Sequence, residues 1–287
     1  MPELPEVEVV RRSLQKFIIG KKIKKIEILN KNLRYKIDKK LKILAENQKV
    51  ISTKRKSKYL LLELSNHHVI LLHLGMTGKI FIFKKNRVFK TSFYYNQNFY
   101  KKHNHFIFNF NKSEILIYND VRKFGFVKIF KKSNLWNCAH LKNLGLDPLS
   151  NSFNKVYLKK IIPKVKKNIK NFLMDQKYIS GIGNIYANEI IHLSSINPRK
   201  KIYKLNAKNI NLISVSIKKI LKEAIKFGGS SIRDFKGITG HKGRFQQKFR
   251  VYNREGCKCK KRGCNGLIKK IYISNRSSFF CSICQNN

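Results

Sequence analysis

The chain opens MPELPEVE, and its second residue is the first candidate for chemistry. A methionine that precedes proline is commonly trimmed, which would leave Pro2 with a free secondary amine. An α-amino group has a pKa of about 7.7–8.0, so a useful fraction of such an amine is neutral at cellular pH. A neutral amine beside a carboxylate can attack an electrophilic carbon such as a sugar C1′ and form an iminium. Glu3 is its neighbour, and Glu6 lies three residues on. Of only 15 acidic residues in the chain, three fall within the first eight positions. Taken alone, these acids could simply complement the positive end of a helix, an effect of about 0.3–1 kcal/mol each at exposed sites. A second cluster lies at the far end, where five of the six cysteines fall between Cys257 and Cys284. Clustering of this kind suggests a metal site rather than a disulfide framework. Cys281-x2-Cys284 is a standard half-site for tetrahedral metal, and Cys259-x4-Cys264 lies within the usual spacing for the other half. Cys257 is the alternative first ligand, and Cys138 reads as a small buried hydrophobe beside Trp136.

The elements that must position these groups follow from periodicity. Val7, Val10, Leu14, Phe17 and Ile18 recur at helical spacing, with Pro5 suited to a first helical turn and Gly20 as a stop, so a helix is expected over 5–19. From about 22 to 131 the pattern shifts to short apolar runs (KIEIL, YLLLEL, VILLHLG, KIFIF, FIFNF and EILIY) that read as strands of a β-sandwich or barrel. Residues 132–153, with Gly145, Pro148 and several Ser and Asn, read as a linker. Helical periodicity returns near 155–170, 172–178, 185–196 and 207–227, interrupted by SGIGN at 180–184 and by Pro198. Gly228 and Gly229 end the long helix, and Ser230 or Ser231 could cap a short one. From 249 the tail looks like two short strands bearing the cysteines. The expected class is α+β, with boundaries at 1–131, 132–153, 154–248 and 249–287.

With 63 Lys+Arg against 15 Asp+Glu, the chain carries a formal charge of +48. Such an excess points to a polyanion, and nucleic acid is the commonest. Lysine, asparagine and isoleucine are all abundant, so part of the charge also fits compositional drift. No apolar run approaches the roughly 20 residues of a membrane span. The acidic N-terminus lacks the basic region of an export signal, so a cytoplasmic location is expected, without membrane association.

MPELPEVE, KYLLLEL at 58–64, HLGMTG at 73–78, NIKNFLMDQKYISGIGNIYANE at 168–189 and the terminal cysteine cluster together resemble the formamidopyrimidine-DNA glycosylase family, in order, from residue 2 to about 285. Leu4 fits this branch better than the related endonuclease VIII, which is directed to oxidised pyrimidines and tends to have glycine there. The resemblance implies a β-sandwich carrying the catalytic helix, then a helix–two-turns–helix domain and a C-terminal zinc hairpin, with DNA in a basic cleft. It implies that Pro2 attacks the anomeric carbon and that Glu3 is the general acid/base. Glu6 would help to hold the flipped base, and Lys58 would contact the flanking phosphate and assist elimination. Met76, Arg122 and Phe124 match the trio that fills the gap left by an extruded base. Val121 and Lys123 depart from the family's usual proline and second arginine, which bears on the rigidity of that loop.

His103 matches a DNA-contacting histidine, and His105 is the lesser candidate. Lys170 matches a lysine that reaches phosphates, Asn184 a phosphate donor in the GIGN turn, and Arg276 a guanidinium at the hairpin tip that grips phosphate and assists δ-elimination. KGITGHKGRF at 236–245 resembles the loop that closes over an oxidised purine. Counting from Arg254, the resemblance selects Cys259, Cys264, Cys281 and Cys284 as ligands of one structural Zn2+. The activity implied is a bifunctional glycosylase/AP lyase, acting as a monomer on double-stranded DNA that contains oxidised bases. Two alternatives remain at this point: the endonuclease VIII-like enzyme, and a non-catalytic nucleic-acid-binding zinc protein.

Overall fold

The computed structural model describes residues 2–84, 87–88, 100–230 and 244–286, and in two compact units. The first comprises 1–142 together with 225–246, and the second comprises 143–224 with 247–287. The sequence boundaries had kept 225–246 with the helical domain. In the structure Gly229 O accepts from Phe245 N at 3.2 Å, Ser230 bridges to Arg244, and Ser230 bonds Glu6 of the first unit.

The first unit begins with helix α1, Leu4–Ile18. Its apolar stripe is buried, and its Glu8 is gripped by Arg11 and Arg12 on the same helix. Strand β1 (Lys25–Ile28) and the short helix α2 (Lys40–Ala45) follow. The remaining strands are β2 (Val50–Lys56), β3 (Tyr59–Leu64), β4 (His68–His73), β5 (Lys79–Lys84), β6 (Arg87–Val88), β7 (Asn104–Asn111), β8 (Glu114–Asn119) and β9 (Phe126–Lys131). They form a β-sandwich of one five-stranded sheet, β1-β7-β8-β5-β6, and one four-stranded sheet, β2-β3-β4-β9. All the pairings are antiparallel, and the buried rows of β3, β4, β7 and β8 supply the core. Sequence periodicity missed β2 and β9, the two edges of the smaller sheet. VISTKRK and FVKIFK break their apolar alternation with cations, as solvent-facing edge strands do.

The second unit holds α3 (Lys155–Ile161), α4 (Ile169–Met174), α5 (Asn184–Leu193) and all but the end of α6 (Ala207–Lys226). The single helix expected over 155–170 is therefore two. A 3-10 turn at Ile162–Lys164 contains Pro163, which interrupts the helical ladder, and Asn168 begins α4 afresh by accepting from Asn171 N at 2.8 Å. Residues 132–137 of the expected linker form another 3-10 turn. The chain ends in an antiparallel hairpin of β10 (Ile268–Ile273) and β11 (Arg276–Cys281). Its two-residue turn has both Ser274 (φ 48°) and Asn275 (φ 58°) left-handed, the geometry that matches the twist of a tight hairpin. Among the described residues no helix is long and apolar enough to cross a membrane.

Candidate active site and metal centre

Register brings most of the sequence-predicted residues of the first unit to one end of the sandwich. Tyr59 pairs with His73, His73 with Phe126, Lys79 with Asn119, and Asn104 with Asn119. The segments just beyond those pairs therefore share that end: Lys58, the 74–78 loop with Met76, the 120–125 loop with Arg122 and Phe124, and His103. Helix α1 is laid so that its N-terminus arrives there too. Its C-terminal end is tied to the start of β2, where Gly20 N donates to Val50 O at 2.9 Å. Further along, Arg11 Nη1 donates to Thr53 O at 3.3 Å and Arg55 Nε to Glu8 Oε2 at 3.2 Å. The helix thus runs antiparallel to β2, with Pro2 and Glu3 towards the Ser57–Lys58 turn. Burial opposes the Glu8 charge, but Arg11, Arg12 and Arg55 hold its carboxyl below the usual range.

Pro2, Glu3, Glu6 and Lys58 are all buried. Glu6 is committed on both oxygens. Oε2 accepts from Glu3 N at 2.9 Å, and Oε1 accepts from Ser230 N at 2.8 Å and Ser230 Oγ at 3.0 Å. The carboxylate therefore fastens the first turn of α1 to the root of the glycine-rich segment, which is a positioning task beside the base-holding one expected from sequence. Ser230 also forms a β-bridge with Arg244, and the short helix that it or Ser231 was expected to cap would lie outside the described residues. Of the KGITGHKGRF segment, residues 236–243 lie outside the described residues, as does Ser231.

The 74–78 and 120–125 loops form a single platform. Gly75 (φ 60°) lets them touch, since a Cβ there would lie 2.4 Å from both Phe124 C and Gly125 N. Asp120, fully buried, accepts from Thr77 Oγ1 at 2.5 Å and from Gly125 N at 2.8 Å, while Arg122 N donates to Thr77 Oγ1 at 3.0 Å. Arg122 and Phe124 are exposed on it, the guanidinium 4.7 Å from the ring centroid. Lys123 takes φ 58° without glycine's freedom. The Asp120 bonds tie this loop, with its Val121 and Lys123, to Thr77 and Gly125.

His103, half-buried, has its carbonyl on Asp120 N at 3.0 Å. His105 is buried, with Nε2 on Asp120 O at 2.9 Å. One residue escaped the sequence reading, although it opens HLGMTG. His73 Nδ1 accepts from Gly75 N at 3.0 Å, and burial, then Lys58 and Arg34, lower its pKa to about 4. It is therefore a neutral imidazole with its proton on Nε2. Cys138 is half-buried rather than buried.

In the second unit, Gln176 holds the turn between α4 and α5 by accepting from Gly181 N at 2.7 Å and donating to Ile182 O at 2.8 Å. Arg276 is exposed at the start of β11. Beneath it Lys170 is fully buried, and its Nζ donates to Arg276 O at 3.3 Å, Ser277 O at 2.7 Å and Ser278 Oγ at 2.5 Å. All three ammonium hydrogens are spent within the fold. Expected from sequence to reach phosphates, Lys170 is in this structure a post under the hairpin tip. Burial, then Arg276, lowers its pKa to about 8. Asn184 Nδ2 donates to Ser277 O at 3.2 Å, which uses one of its two hydrogens and leaves the other.

The sulfurs of Cys259, Cys264, Cys281 and Cys284 all lie within 4.8 Å of one another, whereas Cys257 is exposed. Cys264 and Cys281 are 3.5 Å apart, and Cys259 and Cys284 3.9 Å. A tetrahedral ion with metal–sulfur bonds of about 2.3 Å needs sulfurs about 3.8 Å apart, so the four residues fit one metal ion. His192 packs against them, buried, with its pKa lowered to about 4 by burial and then by Arg250, Lys261 and Arg254.

A sandwich bearing an acidic helix N-terminus, followed by a helix–two-turns–helix unit and a four-cysteine hairpin, defines the architecture of a base-excision DNA glycosylase. Residues 1–127 match the family model described as the formamidopyrimidine-DNA glycosylase N-terminal domain, and 144–236 match that family's H2TH domain. The chain is 39% identical to the formamidopyrimidine-DNA glycosylase of Rickettsia bellii (strain OSU 85-389) over 285 residues, 99% of each chain. Among solved structures it superposes with a TM-score of 0.86 on wild-type Lactococcus lactis Fpg in complex with DNA containing N7-benzyl-Fapy-dG, at 33% identity over 100% of both chains. It superposes at 0.85, with the same identity and coverage, on the Lactococcus lactis enzyme in complex with DNA containing an oxidised pyrimidine. The chain belongs to the formamidopyrimidine-DNA glycosylase family.

Proposed function

We propose that this protein is a bifunctional DNA glycosylase and AP lyase that removes oxidised purines, such as 8-oxoguanine and formamidopyrimidines, from double-stranded DNA. The observation that carries the reading is the convergence, at one end of the sandwich, of the α1 N-terminus with Glu3 and Glu6, the buried Lys58, and the platform bearing Arg122 and Phe124. Once Met1 is removed, the Pro2 nitrogen stands at the positive end of α1. The amine attacks C1′, the bond from C1′ to the base breaks, and the base departs with a proton. Glu3 supplies acid/base assistance as the sugar ring opens to the iminium. Removal of a 2′ hydrogen expels the 3′ phosphate and a second elimination expels the 5′ phosphate, with Lys58 and Arg276 meeting the phosphate charge. Hydrolysis of the iminium then regenerates Pro2.

Base extrusion costs a few kcal/mol of stacking and pairing. Met76 and Phe124 suit the role of wedge, and Arg122 that of partner to the estranged base. His103 and Asn184 suit backbone contacts. We assign the four-thiolate site to one structural Zn2+, which organises the hairpin and, with no open position, takes no part in the reaction. A single chain carries every group named, which is in keeping with action as a monomer.

A second reading, action on oxidised pyrimidines, is favoured by the likeness to a relative solved with such a lesion. Release of 8-oxoguanine or a formamidopyrimidine, compared with release of thymine glycol from otherwise identical duplexes, separates the two. Faster purine release supports the proposal, and faster thymine glycol release overturns it.

A further inference from the structure

Helix α5 carries a polar seam of which the proposed function uses only the first residue, Asn184. Asn184, Asn188 and His192 are spaced by four and so lie on one face of the helix. Each meets the C-terminal tail. Asn184 Nδ2 donates to Ser277 O at 3.2 Å, Asn188 Oδ1 accepts from Phe279 N at 2.7 Å, and His192 Nε2 lies 3.3 Å from Cys259 Sγ and 4.0 Å from Cys284 Sγ. The loop between Cys259 and Cys264 is docked on the same end of α5, with Lys261 Nζ donating to Ser195 Oγ at 2.8 Å. The backbone N–H of Lys261 lies 3.4 Å from Cys259 Sγ.

The His192 ring is buried, and its Nδ1 has no hydrogen-bond partner. A neutral imidazole holds one proton. On Nδ1 that proton would be a buried, unpaired donor, and the Nε2 lone pair would face a thiolate. On Nε2 it points at the sulfur, and only a bare acceptor is left unpaired, which is the less costly arrangement.

We propose that His192 is a partner of the metal centre outside the ligand set: its Nε2–H donates to the metal-bound Cys259 thiolate and so joins α5 to the metal hairpin and retains the ion. Cys259 then receives two donors, the imidazole and the Lys261 amide. Outer partners of this kind typically change metal affinity by about 10–100-fold when removed. This inference rests on the assignment of the four thiolates to zinc, and the test separates the two.

Zinc content of the purified full-length protein is measured first, and then the rate of zinc transfer to the chromogenic chelator 4-(2-pyridylazo)resorcinol. About one zinc per chain is expected, with release from His192→Phe faster than wild type by about tenfold or more and from His192→Gln, which keeps an N–H donor, intermediate. Cobalt substitution should give the same all-sulfur absorption spectrum in wild type and His192→Phe. Wild-type protein without zinc would overturn the metal assignment itself. Zinc present, with His192→Phe release within about twofold of wild type, would overturn the His192 proposal alone. A cobalt spectrum that loses a nitrogen ligand in the variant would also overturn it, because His192 would then be a ligand. Should His192→Phe not fold, long-range 1H–15N correlation on the wild-type zinc protein decides: a protonated Nε2 supports the proposal, and a protonated Nδ1 refutes it.

Discussion

Lys170→Met tests how the second unit supports its hairpin. The buried ammonium makes three bonds there, and burial, then Arg276, lowers its pKa from 10.5 to about 8. At about 1.4 kcal/mol per pH unit, retaining that charge in the folded state costs roughly 3 kcal/mol. Opposing this are three charged hydrogen bonds, each worth about 1.5–3 kcal/mol and all lost in the variant. Ser277 O keeps Asn184 as a donor, and Arg276 O keeps Ser278 Oγ, so neither carbonyl is stranded. At pH 7 the bonds outweigh that cost, so methionine should lower stability by roughly 2 kcal/mol or more. The pH dependence is more diagnostic. The unfolded chain holds the Lys170 proton up to about 10.5 and the folded chain releases it near 8, so between those values the unfolded state binds more protons and wild-type stability rises with pH. Methionine cannot titrate. Urea unfolding of both zinc-loaded proteins by circular dichroism should therefore show wild type gaining on the variant by about 3 kcal/mol between pH 8 and 10.5, and no change in the difference below about pH 7. A difference that is flat, or that falls with pH, would refute the account of Lys170 as a buried, charge-strained post.

Three further perturbations have defined outcomes. Gly229→Ala combines φ 78° with a Cβ 3.0 Å from Glu6 Oε1, whereas Gly20→Ala has φ 77° with nothing within 4 Å. Both should lose about 1–2 kcal/mol in thermal unfolding through backbone strain, but only Gly229→Ala should slow base release. Thr77→Val removes the hydroxyl that joins Asp120 Oδ1 to Arg122 N, and should cost about 1–3 kcal/mol. It should weaken binding to an abasic-analogue duplex more than binding to undamaged duplex. Cys281→Ser should abolish zinc binding and, by removing about 10–16 kcal/mol of apparent metal binding energy, unfold the hairpin, whereas Cys257→Ser should retain the metal, as atomic absorption and proteolysis would show.

The parts legible in the sequence were those with short-range signatures. The α1 stripe and its Pro5 start, the apolar runs of β3, β4, β5, β7 and β8, and the Cys281-x2-Cys284 half-site each follow from periodicity or spacing alone. Strands β2 and β9 were hidden because edge positions tolerate the lysines that break alternation. The placement of 225–246 depends on Glu6 reaching Ser230, a contact between residues 224 apart that no local pattern encodes. The internal use of Lys170 is equally non-local: in a chain with 63 Lys+Arg nothing about one lysine marks it as buried. His192 escaped notice because its significance depends on Cys259, which lies 67 positions away. The clustering of Lys58, Met76, His103 and Arg122 at one end could be assembled only from strand register, once the pairing of β3, β4, β5, β7, β8 and β9 was in hand.

The central claim, that the nitrogen of residue 2 bonds to deoxyribose, is tested most directly by borohydride reduction during turnover of a lesion-bearing duplex, followed by peptide mapping by mass spectrometry. Wild-type protein should lack Met1 and carry the reduced sugar on Pro2, and Pro2→Gly should trap far less. An adduct on a lysine, or efficient base release by protein whose N-terminus is blocked, would contradict it.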